Sequence, residues 1–309
     1  MNLKFDNYIS SNPVAYGRKL LQDIGKDYHY INEREVVDYL GYEIKTITPD
    51  AYAGFGDVIG EIFDDTCAIL LRQHNLILLS DTLSSRHERL TLFHEIGHDI
   101  LPWHQAYSFS LRGKDICHLV HKRIEREAFL AGSELMFPRE HFIDDSLSLP
   151  SLSFRSITTL ADRYNGSFEA TCIRYALTNQ NIMAIAVVTE NPHPGEAIKY
   201  INHRRKRHNM FADEPPSKTK VQVSTAPLRI QYCTRSYRFP KFIKSGTPIE
   251  NGNIIYECWS QRSDKKGEIP ASLFTSSAHF KYSATCMYNR EAKKVFVILW
   301  LPNLQQNIF

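Results

Sequence analysis

His94, Glu95 and His98 stand in the order His-Glu-x-x-His. On a helix the two histidines lie one turn apart and project from the same face. Two neutral imidazoles at that spacing can hold one Zn2+ at about 2.0–2.1 Å. The carboxylate of Glu95 then sits beside the metal, placed to take a proton from water. Three fixed residues in five also arise by chance, so the surrounding pattern decides. Leu90, Phe93, Ile96, Gly97, Ile100 and Leu101 recur at steps of three and four, which is a helical stripe. Pro102 disfavours helix at Leu101 and marks its stop. The histidine pair therefore belongs to a partly buried helix of about three to four turns.

A catalytic zinc takes three protein ligands and keeps one position open. His104 follows His98 at the metzincin spacing. Leu101, however, replaces the glycine that permits the sharp return of the chain, and Pro102 restricts φ further. A second helical segment, about His118 to Phe137 and ended by Pro138, offers Glu125, Glu127 and Glu134. Ile124, Ala128, Ala131 and Leu135 mark its apolar side. At about 100° per residue, Glu127 falls about 70° from the centre of that side, and Glu134 and Glu125 each about 90°. Glu127 is the carboxylate nearest the apolar face, and zinc would supply the counter-charge that a buried carboxylate needs. A surface glutamate paired with Arg123 or Arg126 is the competing reading, and His104 stays a candidate. For a donor to an oxyanion the sequence offers His104, His118, His121 and Tyr107 without ranking them.

The elements that must position these groups follow from the same patterns. Residues 13–26 and 31–41 read as helices, the second with Asn32 as N-cap and Gly41 as its stop. Tyr42 to Ile47 alternates like a strand and leads into a glycine-containing loop at 51–60. Ala68–Leu71 and Leu76–Leu79 read as a tight antiparallel hairpin. An exposed strand edge beside a metal helix can take a peptide as an added strand, or the hairpin only covers the helix. Residues 141–155 read as a Ser/Leu/Pro-rich connector. Ser156–Ala161 and Ser167–Tyr175, joined by Tyr164-Asn165-Gly166, have the outline of a helix-turn-helix. From Ile182 onward the runs 183–188, 221–223, 228–233, 254–259, 278–282 and 295–301 read as strands.

The chain has 309 residues, 43% of them hydrophobic and 23% charged, with a net charge of +3. That is an ordinary globular balance that implies no particular partner. No apolar run approaches the eighteen residues of a membrane span, and the opening stretch lacks the apolar core of a signal peptide. Six scattered cysteines with no C-x-x-C pair fit a reduced, cytoplasmic protein. The basic run His203 to His208 is either a polyanion contact or a solvated loop.

Arg89-Leu90-Thr91-Leu92-Phe93-His94-Glu95-Ile96-Gly97-His98 resembles the R-F-T-x-A-H-E-x-G-H signature of the ImmA/IrrE metallopeptidases. Glu127-Ala128 through Leu135-Met136-Phe137-Pro138 resembles that family's E-A-N-x-F-A-A-x-L-L-M-P segment. The family's Asn is Phe129 here, and its following Phe is Ala131. The resemblance spans roughly residues 15–180. It implies a zinc endopeptidase with ligands His94, His98 and Glu127 and Glu95 as general base, with manganese as a substitute in vitro. It further implies a helix-turn-helix repressor as substrate, whose cleavage triggers a DNA-damage, stress or mobile-element response.

The expectation is thus an α+β chain. Its parts are a zincin-like peptidase domain at 1–150, a helix-turn-helix-like segment at 151–180 and a β-rich, GAF-like sensor domain at 181–309. The rival expectation is a DNA-binding or ligand-sensing regulator whose metal site is not catalytic. Against DNA binding, the segment 167–175 carries Arg174 as its sole basic residue.

Overall fold

A computed structural model describes residues 10–25, 30–48, 67–104, 118–190, 228–240, 242–274 and 280–301. The expected loop at 51–60, Tyr107, the side chains of His118 and His121, the run at 203–208 and the strand at 221–223 lie outside the described residues. The chain is α+β and divides into two compact units, Met1–Ser151 with Arg155–Arg174 and Leu152–Phe154 with Tyr175–Phe309.

The first unit opens with α1 (Pro13–Ile24). Asn12 accepts from Val14 N at 3.1 Å, and Gly25 ends the helix in the left-handed region at φ 71°. In α2 (Glu33–Leu40) Asn32 caps Arg34 N at 2.9 Å, and Gly41 closes the helix as its sequence suggests. A three-stranded sheet follows, built from β1 (Glu43–Ile47), β2 (Ala68–Leu71) and β3 (Leu76–Ser80) in the order β1-β3-β2. β2 and β3 are antiparallel, whereas β1 runs parallel to β3. The link between β2 and β3 is looser than a tight turn. Arg72–His74 make one 3-10 turn, and Asn75, at φ 47°, reverses the chain.

α3 (Ser85–Ile100) and α4 (His118–Met136) are the two long helices of this unit. α3 ends where Pro102 requires, with Leu101 extended at φ −92°, ψ 108°. It is buried on more than one side: Leu92, Phe93, Ile96 and Ile100 are shielded, and so are Arg89 and Asp99. Arg89 is paired with Glu33, and its guanidinium lies 4.8 Å from the Phe93 ring centroid. The expected connector at 141–155 instead begins with a helix, α5 (Arg139–Leu147). Tertiary contacts decide it, because Phe142 is buried and Asp145 accepts from Tyr164 Oη at 2.8 Å. α6 (Phe154–Arg163) and α7 (Phe168–Thr178) form the expected helical pair.

The second unit is a five-stranded antiparallel sheet. Its strands are β4 (Met183–Glu190), β5 (Leu228–Arg235), β6 (Lys265–Pro270), β7 (Lys281–Asn289) and β8 (Lys294–Trp300), ordered β5-β4-β8-β7-β6. Residues 254–259, expected as a strand, are helical instead in α8 (Ile254–Gln261). Asn253 accepts from Ile255 N and Tyr256 N at 3.0 and 3.1 Å, so the chain enters a helix. Ile255 and Cys258 then share one face and join the core around Ala186, Ile230 and Val297.

Candidate metal centre

The packing of α3 against α4 sets the site. A Cβ on Gly97 would lie 2.2 Å from the Ala128 carbonyl oxygen, and one on Gly132 would lie 2.3 Å from the Phe93 carbonyl oxygen. Each helix thus offers a glycine to the other's backbone, and the two approach more closely than side chains would permit. On α4 the line of approach runs through Ala128 and Gly132. At about 100° per residue Glu125 lies about 40° from that line and Glu127 about 120° from it.

Glu125 therefore reaches the histidines. Its Oε2 lies 3.1 Å from His94 Nε2 and its Oε1 3.6 Å from His98 Nε2, and the two Nε2 atoms are 3.2 Å apart. Among the described residues, His94, His98 and Glu125 are the group of three able to hold one metal ion. Three ligands at about 2.0–2.1 Å from one tetrahedral ion stand about 3.3–3.4 Å from one another. The contacts of 3.1, 3.2 and 3.6 Å, the two to Glu125 made by different oxygens of one carboxylate, lie near that spacing. One donor atom from each residue falls within 4.8 Å of the others, so two imidazoles and a carboxylate fit zinc in their chemistry. All three side chains are partly exposed, which leaves the centre open on one side.

The structure places Glu127 outside this group of three. Glu127 Oε2 accepts from Trp103 Nε1 at 2.7 Å and lies 3.3 Å from His104 Nε2, while Oε1 accepts from Arg123 Nε at 2.7 Å. The large apolar residues of α4 indicated the wrong centre for its face, because the side turned to α3 carries small residues. Gly132 was the available signal. His104 does return to the site, since Pro102 to His104 form one turn closed by His104 N to Leu101 O at 3.0 Å. It meets His98 at Nδ1, however, on the side away from His94 and Glu125.

Electrostatics follow the same layout. The hydrogen bond with His94 and the nearby His98 ring hold the Glu125 carboxyl well below the usual carboxylate range. Burial alone lowers His94, but the carboxylates of Glu125 and Glu95 outweigh it and its affinity for a proton rises. Glu95 is pushed up by burial, an effect the two histidines partly offset. The helix end is pinned to the sheet as well. Arg72 donates to the His98 carbonyl at 2.7 Å and to buried Asp99 at 3.1 Å, and Tyr42 Oη donates to Asp99 at 2.7 Å.

Residues 52–175 match the peptidase family described as the IrrE N-terminal-like domain. That segment is similar to an IrrE N-terminal-like domain. It contains both helices that carry the metal donors, along with β2 and β3, and its match ends within α7. Helix α1, helix α2 and β1 precede the matched region. No curated protein matches the chain. Among solved structures, a Mycobacterium tuberculosis transcriptional regulator is similar in fold. It has a TM-score of 0.51 at 12% identity, covering 96% of this chain and 91% of that one. The matched residues fall almost wholly within the first compact unit, and the β-sheet unit follows them in the chain.

Proposed function

We propose that the chain is a zinc endopeptidase whose metal is held by His94, His98 and Glu125 and whose general base is Glu95. The observation that carries this reading is the convergence of His94, His98 and Glu125, whose contacts measure 3.1, 3.2 and 3.6 Å. When bound there, zinc supplies Lewis-acid polarisation of the scissile carbonyl and lowers the pKa of water. Glu95 lies next to His94 in sequence, and burial has raised its affinity for a proton. A carboxylate so raised is a stronger proton acceptor, suited to take the proton of water and pass it to the leaving amine. Among the described residues β2 is an edge strand of the sheet and packs beside α3, so a substrate peptide would find a backbone ladder next to the helix that carries the histidines.

The substrate in this proposal is a partner protein of the helix-turn-helix repressor class, and the setting is a cytoplasmic stress or mobile-element response. The support is the resemblance together with the IrrE N-terminal-like match. Among the described residues no helix is long and apolar enough to cross a membrane. A direct DNA-binding role for α7 loses its basic residue, because Arg174 is buried and donates to Glu134 Oε2 at 2.6 Å. The C-terminal sheet unit is assigned a regulatory role on the resemblance.

Metal analysis tests the centre. Purified wild type should carry one zinc per chain, and Glu125→Ala should carry none at stoichiometric metal. Glu95→Gln should keep zinc and lose cleavage of the repressor substrate. Full zinc in Glu125→Ala, or cleavage by Glu95→Gln, refutes the assignment.

A further inference from the structure

His98 shows its two ring nitrogens to different neighbours. Nε2 faces the donor set, 3.2 Å from His94 Nε2. Nδ1 lies 3.1 Å from Nδ1 of His104, a side chain that is fully buried. The other nitrogen of His104, Nε2, lies 3.3 Å from Glu127 Oε2. Glu127 is held in turn by the Trp103 indole on Oε2 and by Arg123 on Oε1, both at 2.7 Å. Tyr16 of α1 packs edge-on against Trp103 with ring centroids 5.5 Å apart, so the support reaches a third helix.

The contact between His104 and Glu127 orders the protons along this chain of contacts. An ionised carboxylate only accepts, so the His104 nitrogen that faces Glu127 carries the proton. A neutral His104 protonated at Nε2 has a bare Nδ1, which accepts. His98 must then donate from Nδ1, and its Nε2 is left bare toward His94 and Glu125. The opposite arrangement, with a proton on His104 Nδ1, places a proton on His98 Nε2 and closes that nitrogen to a metal.

We propose that His104 and Glu127 are positioning residues that fix the tautomer and ring plane of His98, so that Nε2 is offered to the metal before any metal arrives. The proposal rests on the reading of His94, His98 and Glu125 as the metal centre. It also gives Glu127 work one step behind that centre. Outer partners of this kind typically change metal affinity by about 10–100-fold when removed.

The decisive measurement has two arms on the full chain. In the first, long-range 1H–15N spectra of metal-free protein read the His98 tautomer. Wild type should show the proton on Nδ1, His104→Ala should show both forms, and His104→Asn, which keeps a carbonyl acceptor near the place of Nδ1, should restore the wild-type form. In the second, chelator competition reads the zinc Kd. His104→Ala and Glu127→Ala should each weaken it by about 10–100-fold while still filling to one zinc per chain, and His104→Asn should stay within about three-fold of wild type.

An unchanged tautomer and Kd in His104→Ala overturns the proposal. So does complete loss of zinc in Glu127→Ala, as severe as in His98→Ala, because Glu127 is then itself a ligand. Should wild type bind no zinc, the metalloenzyme reading fails, and the metal-free spectra alone decide the positioning role. If melting shows His104→Ala unfolded, Glu127→Ala and His104→Asn carry the same comparison.

Discussion

Replacing Gly132 by alanine tests whether backbone contact between α3 and α4 spaces the metal donors. The new Cβ would stand 2.3 Å from the Phe93 carbonyl oxygen and 2.8 Å from its carbon. Real Cβ contacts essentially never fall under 3.0 Å, so the oxygen approach is about 0.7 Å too short. That oxygen is backbone inside a helix and cannot swing aside, so the helices must part. Overpacking of this size costs about 1–3 kcal/mol. Alanine's better helix propensity returns about 1 kcal/mol. The net loss reaches about 2 kcal/mol, which lowers Tm by up to about 4–8 °C in a protein of this size. Glu125 rides on α4 and the histidines on α3, so the same parting lengthens the 3.1 and 3.6 Å separations. Zinc affinity should therefore fall although no ligand has changed. Thermal melting of metal-free protein and a zinc titration check both halves. A variant that melts higher than wild type, with the same zinc Kd, would refute the reasoning.

Two further outcomes are expected. Glu134 is buried and accepts from Arg174 Nη2 at 2.6 Å, Arg18 Nε at 3.0 Å and Arg139 N at 3.2 Å. Glu134→Ala strands a buried guanidinium and should lower stability by about 3–5 kcal/mol in urea denaturation; a loss below about 1 kcal/mol contradicts the assignment. Burial of His104 pushes its imidazole down to about 4 from 6.5. The unfolded chain takes up a proton that the folded chain refuses, so this contribution is complete above about pH 6.5. It is lost as pH falls toward 4, by roughly 3 kcal/mol in all. The stability-versus-pH curve of metal-free His104→Asn should be flatter between those limits, and an unaltered curve counts against the buried neutral imidazole.

Local signals in the sequence carried much of the helical unit. Asn12, Asn32, Gly25, Gly41 and Pro102 bound their helices because capping and proline geometry act within a few residues. The antiparallel pairing of β2 with β3 was legible as a local hairpin, whereas the parallel pairing of β1 with β3 was not, since it is a long-range event. The same holds for α8, whose run Ile-Ile-Tyr-Glu-Cys-Trp reads as strand by residue type, yet Asn253 and the core contacts of Ile255 and Cys258 make it a helix. At the site, periodicity placed His94 and His98 on one face of one helix. The choice between Glu125 and Glu127 depended on which side of α4 meets α3. A search for large apolar residues misses that side, because contact there is made by Ala128 and Gly132. The tie between His98 and His104 was likewise hidden, since it depends on the turn that Pro102 starts and not on a repeat.

The donor triangle draws on two helices whose sequences are separated by the whole stretch between His98 and Glu125. Neither helix alone offers three donors, so full metal affinity exists only in the docked pair. Metal binding and docking are then one linked equilibrium. Free zinc at 1,000 times its Kd adds about 4 kcal/mol to the docked state. On the proposed zinc reading, the ambient zinc level would become a setting for how long this interface survives, and a chain emptied of metal would be released toward unfolding and proteolysis.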